Sequence, residues 1–260
     1  MARICKFNMV YDVKNLLKVG FFGLSSLFVS AQTEGDEKSM SFSVNLNSDL
    51  FFGFYPSFGG SYSLSDKVDF TTYGILWSGG SLGAAVGNWT EFGLGVNIKP
   101  SDGLSINPQI GLLNGSLLSN LGPSVVADGI VPNITIREGI GMTEGEFYLG
   151  YYKGFKHESK FTNNYLHWWI NGGYKLAKFM SLGLHFEQLR FLGDLDESVT
   201  GRTTAYDIYM IVGPYLQFSD PKGKAFTRFT ACGDIRNDKE KENSGNKISS
   251  FFKLTVGYNF

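Results

Sequence analysis

The sequence predicts an all-β protein that closes into an antiparallel transmembrane β-barrel. Three observations favour this fold: many segments alternate between apolar and small or polar residues, short turns alternate with longer hydrophilic loops, and glycine and aromatic residues are abundant. The 260-residue chain contains 33 Gly, 23 Phe and 13 Tyr but only 7 Pro, which suits pleated strands and tight turns rather than helices. A strand with one apolar and one polar face fits a wall between lipid and a wet lumen.

The carboxy-terminal segment shows this alternation over its full length. Small or polar residues separate the members of an apolar set that consists of Leu254, Val256, Tyr258 and Phe260. An aromatic carboxy-terminus on such a strand resembles the sorting signal that the barrel-assembly machinery reads in bacterial outer-membrane proteins. We therefore expect the protein in the outer membrane of a Gram-negative-type bacterium. Its partners would be that machinery during biogenesis, and then the lipid bilayer and lipopolysaccharide.

The amino-terminal segment has the three parts of a secretory signal peptide. Basic residues come first, an apolar run covers 19–29, and small residues that suit a cleavage site follow. The apolar run is too short to span a membrane as a helix, which needs about 20 residues. We predict a signal peptide over 1–31 and a mature outer-membrane β-barrel over 32–260, with translation starting at Met1 or Met9.

Alternating segments and turn residues together predict about twelve strands, an even number as in bacterial barrels. One strand–turn–strand signal runs from Phe92 to Leu112 around a Pro-Ser-Asp-Gly turn. Ten strands is the alternative, because the first two are the least regular. Long hydrophilic segments, which predict extracellular loops opposite short periplasmic turns, lie at 156–164, 193–203 and 235–247. The strands are predicted near 41–48, 57–65, 68–78, 89–99, 104–112, 126–138, 145–154, 164–176, 180–191, 204–218, 224–234 and 248–260.

Other classes of protein fit the sequence less well. A soluble β-sandwich or lipocalin-like barrel would have strands of about five or six residues, whereas a tilted strand needs about 9–11 to cross a bilayer. The 23 Lys+Arg and 24 Asp+Glu leave no basic excess for a nucleic-acid partner. Once the signal peptide is removed, Cys232 is alone, which argues against an intrachain disulfide, a zinc cluster or a redox pair. We expect no metal and no cofactor.

Four segments carry a more specific resemblance. They are Phe51-Phe52-Gly53-Phe54-Tyr55-Pro56-Ser57-Phe58, Tyr73-Gly74-Ile75-Leu76-Trp77-Ser78-Gly79-Gly80, Gly87-Asn88-Trp89-Thr90-Glu91-Phe92-Gly93 and Leu104-Ser105-Ile106-Asn107-Pro108-Gln109-Ile110-Gly111. Together they resemble a family of uncharacterised bacterial outer-membrane β-barrels, a domain of unknown function. The resemblance covers most of the mature chain. It implies the fold and the location, and it brings no activity or catalytic residue with it.

The lumen of the barrel is where a function is expected. If the apolar residues face lipid, the alternation points a polar set inward: Glu91, Asn97, Lys99, Gln109, Arg137, Glu146, His167, Lys175, His185, Glu187, Asp207, Arg228 and Lys253. In one interpretation these side chains line an aqueous passage in which opposing charges set a weak selectivity. In the other they pair across a narrow interior and fill it. Barrels of about eight strands fill with side chains, whereas about sixteen leave a channel.

The sequence therefore predicts a passive pore or channel for ions or small solutes. The alternative is a non-conducting barrel with a structural or partner-binding role. An outer-membrane hydrolase is the third interpretation, because His185 and Glu187 share a strand face and His167 lies near them if the two strands pair as a hairpin. No G-x-S-x-G elbow or histidine–serine motif accompanies them, so no catalytic residue is assigned.

Aromatic residues leave one question open at this level. The aromatic-rich segment 51–58 either lies in the wall or plugs the lumen, and residue type alone does not decide between these arrangements. Other aromatic residues are expected in the girdles that mark the two membrane interfaces: Trp77, Trp89, Trp168, Trp169, Tyr258 and Phe260.

Overall fold

The alternating segments form twelve β-strands in the part of the chain that the structure describes. This structure, a computed structural model, covers residues 39–77, 89–119, 124–155, 162–193, 205–245 and 249–260. The predicted signal peptide lies outside the described residues. The strands are β1 (Met40–Asp49), β2 (Gly53–Ser65), β3 (Val68–Trp77), β4 (Trp89–Ser101), β5 (Leu104–Gly115), β6 (Val125–Glu138), β7 (Thr143–Gly154), β8 (Asn164–Ala177), β9 (Met180–Phe191), β10 (Tyr206–Ser219), β11 (Ala225–Asp234) and β12 (Ser250–Asn259).

Each strand pairs antiparallel with its neighbours in sequence, and β1 also pairs with β12 to close the barrel. The closing pair runs from Ser43 opposite Asn259 to Asp49 opposite Lys253. Closure satisfies backbone groups that would otherwise lie on exposed sheet edges. The predicted closed antiparallel barrel is confirmed with twelve strands, and the alternative of ten strands is wrong.

The connections differ between the two ends of the barrel. Short connections form one end, which we call the short-turn rim, at 66–67, 102–103, 139–142, 178–179 and 220–224. At the other end, the long-loop rim, longer segments of the sequence join the strands, namely 78–88, 116–124, 155–163, 192–205 and 235–249, and the described residues cover only parts of them. One connection at the long-loop rim is short, because only residues 50–52 join β1 to β2.

A short helix, α1 (Asp238–Ser244), lies within the last long connection. A capping box of Asn237 and Glu240 begins it, and Gly245 ends it in the left-handed conformation. The charged residues of segment 238–242 lie in this helix, whereas the sequence predicts only a loop there. No helix in the described part of the chain is long and apolar enough to cross a membrane.

Alternation along each strand separates an apolar outer surface from a buried inner one. On β9, Leu184 is 64% exposed on the outside, whereas Glu187 is fully buried on the inside. Large apolar side chains such as Phe92 and Phe229 are similarly exposed on the outer face. A soluble protein rarely exposes so continuous an apolar surface, and such a band is typical of a barrel wall that faces lipid.

Two inward-facing tyrosines lie flat across neighbouring strands that carry glycine. Tyr73 of β3 is opposite Gly93 of β4, which is opposite Gly111 of β5. A Cβ atom at either glycine would collide with the tyrosine ring or its hydroxyl group. Because these strands carry no side chain there, the ring reaches Asn133 of β6, whose amide donates to the Tyr73 hydroxyl at 2.8 Å.

Tyr215 repeats this arrangement on the other side of the barrel. It lies across Gly183 of β9 and Gly173 of β8 and donates a hydrogen bond to Glu144 Oε1 of β7 at 2.9 Å. The barrel wall therefore contains two glycine pairs that each hold one tyrosine ring against the backbone.

Substitution of Gly173 by alanine should destabilise the barrel, because the added Cβ atom collides with Tyr215. Overpacking of this kind costs about 1–3 kcal/mol. Gly172→Ala is the matched control, since a Cβ atom at that neighbouring position meets no atom within 4 Å. Urea unfolding of the refolded protein in detergent micelles measures both changes. Equal free energies of unfolding for the two variants would contradict the packing of Tyr215 described above.

Candidate functional site: the barrel interior

The turn between β1 and β2 folds into the barrel. Asp49 Oδ1 accepts hydrogen bonds from the backbone N–H groups of Phe51 at 2.8 Å and Phe52 at 2.6 Å. Gly53 follows with a φ of 71°, a conformation that glycine adopts without a steric cost. Aspartate and glycine thus specify this three-residue turn locally. We call residues 50–52 the plug turn.

Phe52 connects the two sides of the barrel. Its ring centroid lies 4.8 Å from that of Trp77 on β3 and 5.8 Å from the ring of His167 on β8. β3 and β8 are five strands apart in the twelve-stranded ring. Phe51 contacts Tyr209 on β10 at 5.1 Å. Phe51 and Phe52 of the plug turn therefore extend into the interior, whereas residues 53–58 of the same aromatic-rich segment lie in the wall as part of β2.

Apolar side chains from several strands pack around the plug turn in two clusters. One consists of Tyr55, Trp77, Leu113, Leu118, Val131 and Tyr152. The other consists of Leu189, Tyr209, Ile211, Cys232 and Phe251. Phe52 packs against both clusters. This apolar layer packs inside the barrel near the long-loop rim, where the sequence predicts a polar lumen.

The connection after β5 completes this layer. Asp128 accepts hydrogen bonds from the backbone N–H groups of Leu118 at 2.6 Å and Ser119 at 2.9 Å. Leu118 is fully buried against the first cluster. The buried carboxylate thus holds an inward-folded loop in place through backbone groups that would otherwise be unsatisfied.

A buried ionic cluster centred on Glu187 lies next to the apolar layer. Its Oε1 accepts a hydrogen bond from the Tyr209 hydroxyl at 2.7 Å and lies 2.8 Å from His167 Nε2. Its Oε2 accepts from Lys253 Nζ at 3.0 Å and lies 2.9 Å from His185 Nε2. Both carboxylate oxygens therefore have two partners, as a carboxylate withdrawn from water requires.

A second buried carboxylate, Glu91, belongs to the first tyrosine arrangement. It accepts hydrogen bonds from the Tyr73 hydroxyl at 2.7 Å and from the Trp77 indole N–H at 3.2 Å. Both donors are uncharged. Trp77 thus joins Glu91 directly to the apolar layer, since the same indole ring stacks on Tyr55 and contacts Phe52.

Towards the short-turn rim the inner surface remains polar and becomes accessible. Lys99 pairs with Asp69 at 2.8 Å, and Arg137 pairs with Glu146 at 2.9 Å. The Arg137 side chain is 58% exposed. We call this polar region between the ionic cluster and the short-turn rim the vestibule.

Most of the predicted lumen residues point inward. The structure brings His167, His185, Glu187 and Lys253 into one cluster and places the following around the remaining inner wall: Glu91, Asn97, Lys99, Gln109, Arg137, Glu146, Lys175 and Arg228. Three of the predicted lumen cations, Lys99, Arg137 and Lys253, form ion pairs with carboxylates of the described residues, as the second interpretation of the lumen expects.

Asp207 is the exception. A β-bulge shifts the register of β10 against β9, so that Asp207 lies opposite Arg190 but Tyr209 lies opposite Leu189. Arg190 and Leu189 point to opposite faces because they are adjacent in the strand. Asp207 therefore faces outward, where it pairs with Arg190 at 3.2 Å. The prediction that it lines the lumen is wrong, since strict alternation does not allow for a bulge.

The expected girdle aromatics divide between the two faces. Tyr258 and Phe260 are exposed on the outside, and Trp168 lies with Phe147 and Phe186 on the outer face. Trp77 and Trp169 instead lie inside, where Trp169 stacks on Tyr148 at 3.9 Å. Trp89 lies opposite Trp77 and packs against the same apolar cluster. The girdle prediction is therefore wrong for these three tryptophans.

Several residues that organise the interior are not in the predicted set: Phe51, Phe52, Tyr73, Glu144, Tyr209 and Tyr215. The positions of the glycines are a sequence signal for two of these residues, Tyr73 and Tyr215. A tyrosine whose cross-strand neighbours are both glycine has a free path along the wall, but the strand register is needed before those neighbours can be identified.

The family model of DUF6733, described as a family of unknown function, matches residues 13–260. The chain belongs to the DUF6733 family. No curated protein matches the sequence. Among solved structures, the NanC porin matches with a TM-score of 0.47 and 10% identity, over 85% of this chain and 99% of that one.

Two further solved structures are similar to this DUF6733 chain at comparable levels. The KdgM porin matches with a TM-score of 0.45 and 13% identity, over 84% of this chain and 99% of that one. LpxR from Salmonella typhimurium matches with a TM-score of 0.40 and 9% identity, over 84% and 99%.

Substitution of Glu187 by glutamine should destabilise the barrel strongly. The change keeps the shape of the side chain but leaves the buried Lys253 ammonium group without its carboxylate partner. Loss of one member of a buried ion pair costs about 3–5 kcal/mol. Arg137→Gln breaks the exposed pair with Glu146 and should cost at most about 1 kcal/mol. The free energy of urea unfolding measures both, and a Glu187→Gln effect as small as that of the control would contradict the buried pair.

Proposed function

We propose that this DUF6733 protein is a passive channel of the outer membrane whose lumen is closed by the plug turn. The observation that carries the proposal is the position of Phe52, which bridges inward-facing rings on β3 and β8 at one end of an otherwise polar inner wall. Small solutes or ions would pass by diffusion once the plug turn leaves that position. No chemical step and no cofactor are involved.

The charged groups of the vestibule favour a channel over a non-conducting barrel with a structural role. Its charged groups lie on several strands around the barrel, including Lys99 of β4, Arg137 of β6 and Arg228 of β11. Fixed charges of both signs across a water-filled passage create a transverse field that orders and selects solutes. A barrel filled only for stability has no need of accessible charges at one end.

The plug turn is a short segment that can move separately from the two strands it joins. The turn contains three residues between two strands and is held by the Asp49 hydrogen bonds and by aromatic contacts. Displacement of Phe51 and Phe52 requires no rearrangement of the strand pairing that closes the barrel. The motion therefore belongs to a loop, on the timescale of such segments.

The hydrolase interpretation finds no nucleophile in this geometry. Within the described residues, the only hydroxyl group hydrogen-bonded to the His167–Glu187–His185 cluster is that of Tyr209. Acyl transfer needs a nucleophile, a base and an orienting group with room for a substrate. His167, His185 and Glu187 are each at most 3% exposed, and the Lys253 bond occupies the carboxylate. We therefore propose a structural role for the cluster and no enzymatic activity.

The non-conducting barrel is the second candidate, and the density of the apolar layer favours it. The two candidates differ in whether removal of the plug side chains opens a path. Phe51→Ala with Phe52→Ala should raise the single-channel conductance in planar lipid bilayers well above that of the unchanged protein, because two rings leave the apolar layer. A plug mutation that only loosened the fold would instead lower the yield of inserted protein.

Phe92→Ala with Phe229→Ala is the matched control, since it removes two phenyl rings from the outer face. This control should leave the conductance unchanged. Folding of each variant is checked by its heat-modifiable mobility on gels. A folded, inserted plug variant that remains silent would overturn the channel proposal and leave the non-conducting barrel.

We propose the outer membrane as the location because of the outer face of β12. Leu254, Val256, Tyr258 and Phe260 all lie exposed on that face, and the Phe260 backbone N–H donates to the Phe42 carbonyl at the closing seam. The lipid bilayer, lipopolysaccharide and the barrel-assembly machinery are the partners that this location supplies. The exposed aromatic terminus is the feature that such machinery would recognise.

Phe260→Ala should therefore reduce the fraction of protein that reaches the outer membrane, with unassembled chains in the periplasm. Tyr174→Ala removes another exposed aromatic side chain near the short-turn rim and serves as the control. Membrane fractionation with heat-modifiability gels measures assembly. Equal assembly of the two variants would show that the terminal aromatic residue has no special role.

A further inference from the structure

We infer that the vestibule contains a binding site for the carboxylate group of small anionic solutes, centred on Arg228. This inference deepens the channel proposal and rests on it for its biological role, although the site itself is testable without any current. It comes from the contrast between Arg228 and three other cations of the inner wall.

Three inner cations are neutralised by a carboxylate at short distance. Lys99 pairs with Asp69, Arg137 with Glu146, and Lys253 with Glu187, all between 2.8 and 3.0 Å. Arg228 differs from them, because no carboxylate of the described residues lies within salt-bridge distance of it. Its Nε donates to the Gln217 side-chain oxygen at 2.8 Å. The two terminal nitrogens have no hydrogen-bond partner in the described part of the chain.

The guanidinium group of Arg228 is nevertheless held in position. Its central carbon lies 4.7 Å from the centroid of the Tyr215 ring and 5.9 Å from that of Phe226. Tyr215 is fixed in turn by its packing against Gly173 and Gly183 and by its hydrogen bond to Glu144. Stacking and the Gln217 contact therefore set the plane of the guanidinium group. A preorganised group of this kind loses little conformational freedom when it binds.

The surroundings of Arg228 are polar and carry charges of both signs. Cross-strand partners form one inner row that crosses β1 and β8–β12: Asn47, Thr255, Arg228, Gln217, Ser181 and Lys175. This row contains two cations and no carboxylate. Among the described residues, the Lys175 side chain donates only to the Gly141 carbonyl, at 3.5 Å. In the adjoining row, the oxygens of Glu144 accept hydrogen bonds from Tyr215 and Ser181.

These features select a carboxylate among small anions. The planar guanidinium fork matches the two oxygens of a carboxylate and forms two parallel charge-assisted hydrogen bonds with it. Lys175 and the hydroxyl and amide groups of the row supply further donors. Chloride, a sphere with one centre of charge, would engage the fork less well. The site would thus favour the carboxylate end of a solute at the entrance to the passage.

Acetate is the probe that tests this site. Protein labelled with ¹⁵N-arginine is titrated with sodium acetate in detergent micelles, while sodium chloride keeps the ionic strength constant. The Arg228 Nε–H resonance, identified by its loss in Arg228→Gln, should shift and saturate. Lys222→Gln removes an equal charge from the short-turn rim, where Lys222 is exposed in the connection 220–224, and should leave the acetate affinity of Arg228 unchanged.

Arg228→Lys keeps the charge but removes the fork, and in calorimetric titration its acetate affinity should fall at least about tenfold, as expected for loss of one charge-assisted hydrogen bond. A linear, non-saturating shift of the Arg228 resonance would overturn the site. Equal weakening of acetate binding by Lys222→Gln would also overturn it, because the effect would then belong to the general charge at this end of the barrel.

The outcome is separable from that of the channel proposal. Saturable acetate binding together with a silent Phe51→Ala, Phe52→Ala variant would overturn the channel and retain the site. Current through that variant without acetate binding would retain the channel and overturn the site.

Discussion

The pairing of β1 with β12 is the interaction on which the rest of the structure depends. It joins residues from opposite ends of the chain and sets Asp49 opposite Lys253. Asp49 holds the plug turn through its backbone hydrogen bonds, and Lys253 holds Glu187 in the ionic cluster. One strand pair therefore closes the barrel, aims the plug turn into it and brings the buried charges beneath that turn.

A twelve-stranded barrel is intermediate in size, and its interior shows how the chain responds to that constraint. Eight strands enclose just enough room for side chains, whereas sixteen leave a channel. Here aromatic rings fill the end near the long-loop rim, where one side chain can reach rings on opposite walls. Towards the short-turn rim the inner side chains pair with neighbours on adjacent strands and leave charged groups accessible. The part of the lumen that side chains fill and the part that stays accessible thus lie towards opposite ends of the barrel.

The sequence predicted the structure correctly where the two-residue alternation of a strand alone decides the direction of a side chain. Alternation predicted the twelve strands and the inward direction of residues such as Glu91 and Arg228, since side chains on a strand change face at every residue. It failed at Asp207, because the bulge between Asp207 and Tyr209 reverses the faces of the strand residues that precede it. It also failed for Trp77, Trp89 and Trp169. A tryptophan suits a membrane interface and a buried ring cluster equally well, and residue type alone does not distinguish the two environments.

The plug turn and the vestibule are connected through one cross-strand row. From Asp49 the row continues through Lys253, Thr230 and Tyr215 to Gly183, Gly173 and Glu144. Asp49 anchors the plug turn, and Arg228 stacks on the ring of Tyr215. Residues in register along a sheet keep their spacing because backbone hydrogen bonds fix it. Arg228 belongs to the adjoining row, and its contact with the Tyr215 ring joins it to the row that ends at the base of the plug turn.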